Sequence, residues 1–176
     1  YLPTTRNNTN NDDPSDSDAS TTTGLTGSIN LVSGENDPTN DAGFYRTASL
    51  GDYVWEDLDR DGVQETGEPA IQGVVVNLYV DANGDGTPDT PGSPLASTTT
   101  NASGLYNFTG LTPGNYIVGF VTPVGGYLAT VPNSATSNDG NDSDAVNGFT
   151  GTINLSSGEN DLTNDAGFYR TASLGD

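Results

Sequence analysis

A chain of 176 residues with four Lys and Arg against 24 Asp and Glu, at a formal net charge of −20, lacks the basic patch that phosphate contacts need. Nucleic acid and anionic membrane surfaces are therefore excluded as partners. No Cys, His, Met or Lys is present, which removes disulfides and the commonest zinc and haem ligands. Leu, Ile, Val and Phe fill only 34 of the 176 positions, so a fold under this charge needs cations to offset its self-repulsion.

From the first residue onward the chain repeats itself. Residues 24–52 recur at 148–176 with four differences in 29 positions, an offset of 124. Upstream, Asp16-Ser-Asp-Ala19 aligns with Asp142-Ser-Asp-Ala145, and Tyr1-Leu2 with Tyr127-Leu128, at an offset of 126. Such a period is domain-sized; solenoid repeats run to about 20–50 residues. Three segments are expected: 1–48 as the C-terminal part of a preceding repeat, 49–172 as a complete one, and 173–176 as the first residues of the following one. The junction Phe44-Tyr-Arg-Thr-Ala-Ser-Leu-Gly-Asp52 leaves almost no linker, so domains joined head to tail in a stiff rod are expected.

Strand candidates follow at 50–55, 72–80, 94–100, 104–109, 115–121, 126–131, 150–155 and 165–170. They alternate apolar and polar residues or carry β-branched runs such as Val74-Val-Val76, and Gly, Pro and Asn turns separate them. No ten-residue stretch shows helical periodicity. Seven or eight short strands spaced this way predict an all-β sandwich.

Between the first two strands lies Asp57-Leu-Asp-Arg-Asp-Gly-Val-Gln-Glu-Thr-Gly-Glu68, which fits D-x-D-x-D-G-x5-E at every position. Calcium takes six to eight oxygens, and this spacing offers Asp57, Asp59, Asp61, the Val63 carbonyl, Glu65 through water, and both oxygens of Glu68. Gly62 permits the sharp turn. Three carboxylates in five residues repel one another without a cation; the alternative is a solvated acidic turn. The loop is flanked by strands, so the ion would clamp a strand connection and the helix-opening mode of calcium sensors is not expected.

The next connection repeats the pattern with Asp81, Asn83, Asp85, Thr87 and Asp89, but position 12 is Gly92, so a weaker site, or one completed by a distant carboxylate, is expected. Asn83-Gly84 and Asp85-Gly86 are also ordinary hairpin dipeptides. A third cluster, Asn138-Asp-Gly-Asn-Asp-Ser-Asp144, has suitable oxygens without standard spacing; Asp142 and Asp144 are its candidates, as ligands completing the second loop or as a solvated loop. Gly34-Glu-Asn-Asp37 and Gly158-Glu-Asn-Asp161 read as polar turns, and Trp55 as a core anchor, the alternative being a carbohydrate-stacking surface residue. Sequons at Asn7, Asn101, Asn107, Asn141 and Asn154 allow glycosylation on a surface protein, but are expected by chance in so Asn- and Thr-rich a chain. Without His, Lys or Cys, base and nucleophile roles fall to carboxylates and hydroxyls, and the acids cluster in metal-loop spacing, so no enzyme is expected.

Ser49-Leu-Gly-Asp-Tyr-Val-Trp55, the Asp57–Glu68 loop, Pro69-Ala-Ile-Gln-Gly-Val-Val-Val76, Thr99 to Phe108, Leu111-Thr-Pro-Gly-Asn-Tyr116 and Asn164-Asp-Ala-Gly-Phe-Tyr169 together resemble the B-repeats of serine–aspartate repeat surface adhesins, the SdrD B-like domains. The resemblance implies a B-type adhesin sandwich, related to immunoglobulin-like and transthyretin-like folds, in tandem repeats. It implies calcium-dependent rigidity and a spacer role outside the cell, with two to three Ca2+ per complete repeat. Asp57, Asp59, Asp61, Glu68, Asp81, Asn83, Asp85, Asp142 and Asp144 carry over as ligands. The Lys–Asn isopeptide staple of some related domains cannot form here, and long Ser-Asp tracts are missing. A calcium-rigidified stalk or filament module at the cell surface is expected, its partners being neighbouring repeats and identical chains in a filament. The alternative is an adhesive domain for a host, matrix or neighbouring-cell ligand. No signal peptide or membrane-length apolar run is visible, and no direct membrane contact is expected.

Overall fold

All regular elements among the described residues are strands. The computed structural model describes residues 1–6, 16–132 and 140–174 and divides into two units, Tyr1–Thr47 and Ala48–Asp176. The first unit contains β1 (Leu2–Pro3) and β2 (Phe44–Tyr45). The second contains β3 (Ala48–Glu56), β4 (Val75–Val80), β5 (Ala96–Thr99), β6 (Leu105–Leu111), β7 (Gly114–Phe120), β8 (Tyr127–Ala129), β9 (Ile153–Leu155), β10 (Asn160–Asp161) and β11 (Ala166–Arg170).

In the second unit, β3 occupies the middle of one sheet. It pairs antiparallel with β6, from Ser49 opposite Thr109 to Tyr53 opposite Leu105. Along its other edge it pairs parallel with β10 and then with β11, and β11 pairs antiparallel with β8. The other sheet is wholly antiparallel in the order β5-β4-β7-β9.

Side chains alternate faces along a strand, which is why every second residue is apolar. On β6, Tyr106 and Phe108 are buried while Leu105, Asn107 and Thr109 are exposed. Leu50 and Val54 of β3, Val76 and Leu78 of β4, Val118 and Phe120 of β7, Leu155 of β9 and Phe168 of β11 join them in one apolar core. Trp55 points to the opposite face from Val54, yet it is fully buried. It lies across Gly167, where a Cβ would come within 2.8 Å of its ring. It also stacks on Tyr53 with ring centroids 6.3 Å apart.

The strands fall near where the alternation places them, but the 150–155 candidate is strand only over Ile153–Leu155 and the 126–131 candidate only over Tyr127–Ala129, and two further differences have a local cause. The 72–80 candidate begins at Val75, because Gln72 and Gly73 form a turn and Gly73 has φ +80°. The Gly158-Glu-Asn-Asp161 stretch is more than a polar turn: Asn160 and Asp161 are β10, opposite Ser49 and Leu50. The edge of β3 needs backbone partners before β11 reaches it, and the Ser49 amide also donates to the Glu159 carbonyl at 2.9 Å.

The first unit repeats backbone features of the second. Leu2 pairs with Tyr45 as Leu128 pairs with Tyr169. The Asp18 amide donates to the Asp41 carbonyl at 2.8 Å, as Asp144 does to Asp165 at 3.0 Å. The burial differs: Ile29, Leu31 and Phe44 are 45%, 60% and 60% exposed, whereas their counterparts Ile153, Leu155 and Phe168 are 8%, 2% and 2% exposed. In the second unit Ile153, Leu155 and Phe168 share one core with residues of β3, β6 and β7, and no described strand of the first unit is equivalent to those three.

Candidate metal centre

The first loop leaves β3 at its buried end. Asp57 is 1% exposed, with Oδ1 accepting from the Arg60 amide at 2.5 Å and Oδ2 from the Gly62 amide at 2.9 Å. The Thr130 hydroxyl also donates to Oδ2. Asp61 Oδ1 accepts from the Val63 amide at 2.8 Å. Glu68 closes the loop, taking the Leu58 amide at 2.7 Å on Oε1 and the Glu65 amide at 3.0 Å on Oε2. Gly62 has φ +82°, and a Cβ there would come within 2.2 Å of the Val131 carbonyl oxygen, so both conformation and space demand glycine.

These bonds fold Asp57, Asp59 and Asp61 together until one oxygen of each lies within 4.8 Å of the others. Burial pushes the Glu68 carboxyl up from its ordinary range; the Leu58 and Glu65 amides counter this, and Asp57 and Asp59 add to it. The loop's own cation does not relieve the crowding, because the Arg60 guanidinium lies over the Tyr169 ring at 4.6 Å. An all-oxygen donor set with one buried acid and two exposed ones fits a hard divalent cation. Asp57, Asp59, Asp61 and Glu68 would hold it, with Val63 and Glu65 on the same turn.

Asn141, Asp142 and Ser143 dock on this first loop. Asp142 bridges antiparallel to Val63, the Gln64 amide donates to the Asn141 carbonyl at 2.7 Å, and the Ser143 amide donates to the Gly62 carbonyl at 3.1 Å. The expectation that this stretch completes the second loop is therefore corrected. Asn138 and Asp139, the start of the cluster, lie outside the described residues, as do Asn7 and the Asp12–Asp13 counterpart.

The second loop is organised around Asp81, which is fully buried. Its Oδ1 accepts from the Asp85 amide at 3.1 Å, and its Oδ2 from the Gly86 amide at 3.2 Å and the Thr152 hydroxyl at 2.6 Å. Asn83 Nδ2 donates to Asp85 Oδ2 at 2.9 Å, Thr87 donates its amide and hydroxyl to Asp85 Oδ1, and Asp89 Oδ2 takes the Ala82 amide at 3.1 Å. The Thr152 hydroxyl holds Asp81 below the ordinary carboxylate range, and Thr87 does the same for Asp85. Asp81, Asp85 and Asp89 do not converge as the first three acids do: among the described residues, only Asp57, Asp59 and Asp61 form such a group.

A third acidic region escaped the sequence reading in part. Asp142 is 6% exposed and its Oδ1 has no hydrogen-bond partner. Asp144 Oδ2 accepts from the Asp165 amide at 2.7 Å. Asp165 is fully buried: Oδ1 accepts from the Tyr53 amide at 3.0 Å, and Oδ2 has no partner. Its carboxyl is pushed up to about 9, first by burial and then by Asp52; the Tyr53 amide lowers it, while Asp144 and Asp142 raise it further. Asp52 is itself raised by burial and by Asp161. Neither Asp52 nor Asp165 has metal-loop spacing. The one signal is placement: Asp52 stands within β3 and Asp165 directly before β11.

A two-sheet β-sandwich whose strand connections carry oxygen-rich acidic loops defines a class of surface repeat module. The chain belongs to the SdrD B-like domain family, whose model matches residues 48–168. It is 43% identical over 180 residues to the serine-aspartate repeat-containing protein E of Staphylococcus aureus strain USA300, covering 100% of this chain and 14% of that protein. It is 42% identical, with the same coverage, to the bone sialoprotein-binding protein of S. aureus strain MRSA252. The chain thus spans about a seventh of the length of these curated relatives. Among solved structures it is similar to the minor pilin GBS52 of Streptococcus agalactiae, at TM-score 0.44 and 16% identity over 74% of this chain and 48% of that one. It is also similar to the shaft pilin SpaA of Lactobacillus rhamnosus GG, at TM-score 0.41 and 17% identity over 73% and 52%. The family places the chain outside the cell, at its surface. No helix among the described residues is long and apolar enough to cross a membrane.

Proposed function

We propose that this chain is a non-enzymatic structural repeat, a calcium-rigidified module of a surface stalk or filament built from such units head to tail. The observation that carries the reading is the convergence of Asp57, Asp59 and Asp61 on a loop that also anchors residues 141–143. Calcium at Asp57, Asp59, Asp61, Val63, Glu65 and Glu68 would tie the connection after the first long strand to a segment some 80 residues later. A weaker ion is assigned to Asp81, Asn83, Asp85, Thr87 and Asp89. A further one is assigned to Asp142 and Asp144, with Asp165 beside them.

The strand order supports a load-carrying role. β3 and β11 are parallel neighbours, so the chain enters the second unit at one end of their shared ladder and leaves at the other. Tension along the chain would then load that ladder in shear, with all its hydrogen bonds resisting together. Arg170 clasps Glu56 at 2.8 Å where the two strands end together. The near-identical segments 24–52 and 148–176, and the backbone bonds they share, support units 1–48, 49–172 and 173–176 as successive repeats.

At millimolar calcium, a site of roughly micromolar affinity stabilises the fold by about 4 kcal/mol, a large share of a domain's net stability of about 5–15 kcal/mol. Thermal melts of the whole chain in EDTA and in millimolar calcium test this, together with calorimetric titration. A steep drop of the midpoint in EDTA and two to three bound ions are expected. An unchanged midpoint with no heat of binding refutes the reading.

A further inference from the structure

The first and second loops share a feature that lies outside their own sequences. In each, the opening aspartate is buried and its two oxygens are used unequally. Asp57 Oδ1 takes one amide, from Arg60, and Asp81 Oδ1 takes one amide, from Asp85. Asp57 Oδ2 takes two donors, the Gly62 amide and the Thr130 hydroxyl. Asp81 Oδ2 likewise takes two, the Gly86 amide and the Thr152 hydroxyl. The threonines lie 73 and 71 residues further along the chain. A carboxylate oxygen has about two lone-pair sites, so two donors fill Oδ2, and Oδ1 alone keeps one for a cation.

We propose that Thr130 and Thr152 are positioning residues for the two cation loops, each fixing which oxygen of the opening aspartate faces the ion and tying that loop to a distant strand. The proposal rests on the calcium reading above. Thr130 directly follows β8, and its amide donates to the Gly167 carbonyl of β11 at 3.1 Å. Thr152 directly precedes β9. A cation in the first loop therefore orders the β8–β11 edge of one sheet, and a cation in the second orders the β9 edge of the other. This explains how ions in surface connections stiffen both sheets.

The internal repeat retains the same chemistry. The positions equivalent to Thr130 and Thr152 are Thr4 and Ser28. Ser28 against Thr152 is one of only four differences between the two 29-residue copies, and it keeps the hydroxyl. A β-branched side chain also holds its hydroxyl in few rotamers, which suits an orienting role.

The test is calorimetric calcium titration of the full 176-residue chain, as wild type and as Thr130→Val, Thr152→Val and the two Thr→Ser variants, with melts in EDTA alongside. Loss of one hydrogen bond to a charged oxygen weakens a site by about tenfold. Thr152→Val is expected to weaken one ion by that factor and leave the first-loop ion alone. Thr130→Val is expected to do the reverse, and each Ser variant to return to within about twofold of wild type. If the Val variants lower the EDTA midpoint but bind calcium with wild-type affinity, the threonines only hold structure and the proposal is overturned. Loss restricted to neither loop, or no rescue by Ser, overturns it as well. Should Thr130→Val not fold, the exposed Thr152 carries the decision alone. A wild-type chain that takes up no calcium sinks the calcium reading itself, an outcome distinct from unaltered affinity in the variants.

Discussion

Asp165→Asn should stabilise the calcium-free protein, because it replaces a buried carboxyl that must hold a proton to stay neutral. Asp165 is fully buried, its carboxyl is pushed up from 3.8 to about 9, and Oδ2 has no partner. The folded state therefore holds a proton that the unfolded chain releases above about pH 4. Stability from this group is greatest below pH 4 and is lost progressively as pH rises toward about 9. At pH 7 the gap from the unfolded value is about three pH units, which corresponds to about 4 kcal/mol of destabilisation. Asparagine keeps the acceptor for the Tyr53 amide and needs no proton, so it recovers most of that penalty. For a unit of this size the EDTA midpoint at pH 7 should rise on the order of 10 °C. The advantage should vanish near pH 4, where the unfolded wild type takes up this proton as well. It should also shrink in calcium, because a cation beside Asp142 and Asp144 stabilises the ionised wild type and does less for the amide. Denaturant melts at pH 4, 7 and 8.5, with EDTA or calcium, measure each arm. An Asn variant less stable than wild type at pH 7 in EDTA, or a difference that ignores pH, refutes the reasoning.

Two further outcomes concern the loops. Asp61→Ala should weaken the first-loop ion far more than Asp89→Ala weakens the second, because Asp61 belongs to the converged trio of acids and Asp89 to no such group among the described residues. Comparable losses by calorimetry would show the loops to be equal in rank. Gly62→Ala should cost at least about 2 kcal/mol, from its positive φ and from the Val131 carbonyl oxygen 2.2 Å from the added methyl. A melting midpoint within a degree of wild type would contradict that geometry.

How much of this was legible beforehand depends on whether the signal was local. Alternation along Leu105–Leu111 and the β-branched run at Val74–Val76 were sufficient to place strands, since a strand's two faces are written in consecutive residues. The convergence of Asp57, Asp59 and Asp61 was equally readable, because the three acids stand in one contiguous loop bent at a glycine. β10 was not readable: two polar residues become a strand only because the edge of β3 lies beside them.

The sequence by itself determined the charge, the repeat, the all-β class and the two loops, for these depend on neighbours along the chain. Tertiary structure alone decided that Asn141–Ser143 pair with the first loop, that Thr130 and Thr152 reach across to Asp57 and Asp81, and that the half-buried Asp52 acts on the buried Asp165. Each of those joins residues more than 70 positions apart. Spacing cannot encode such contacts; they exist only once parallel β3 and β11 and the packed sheets bring the segments together.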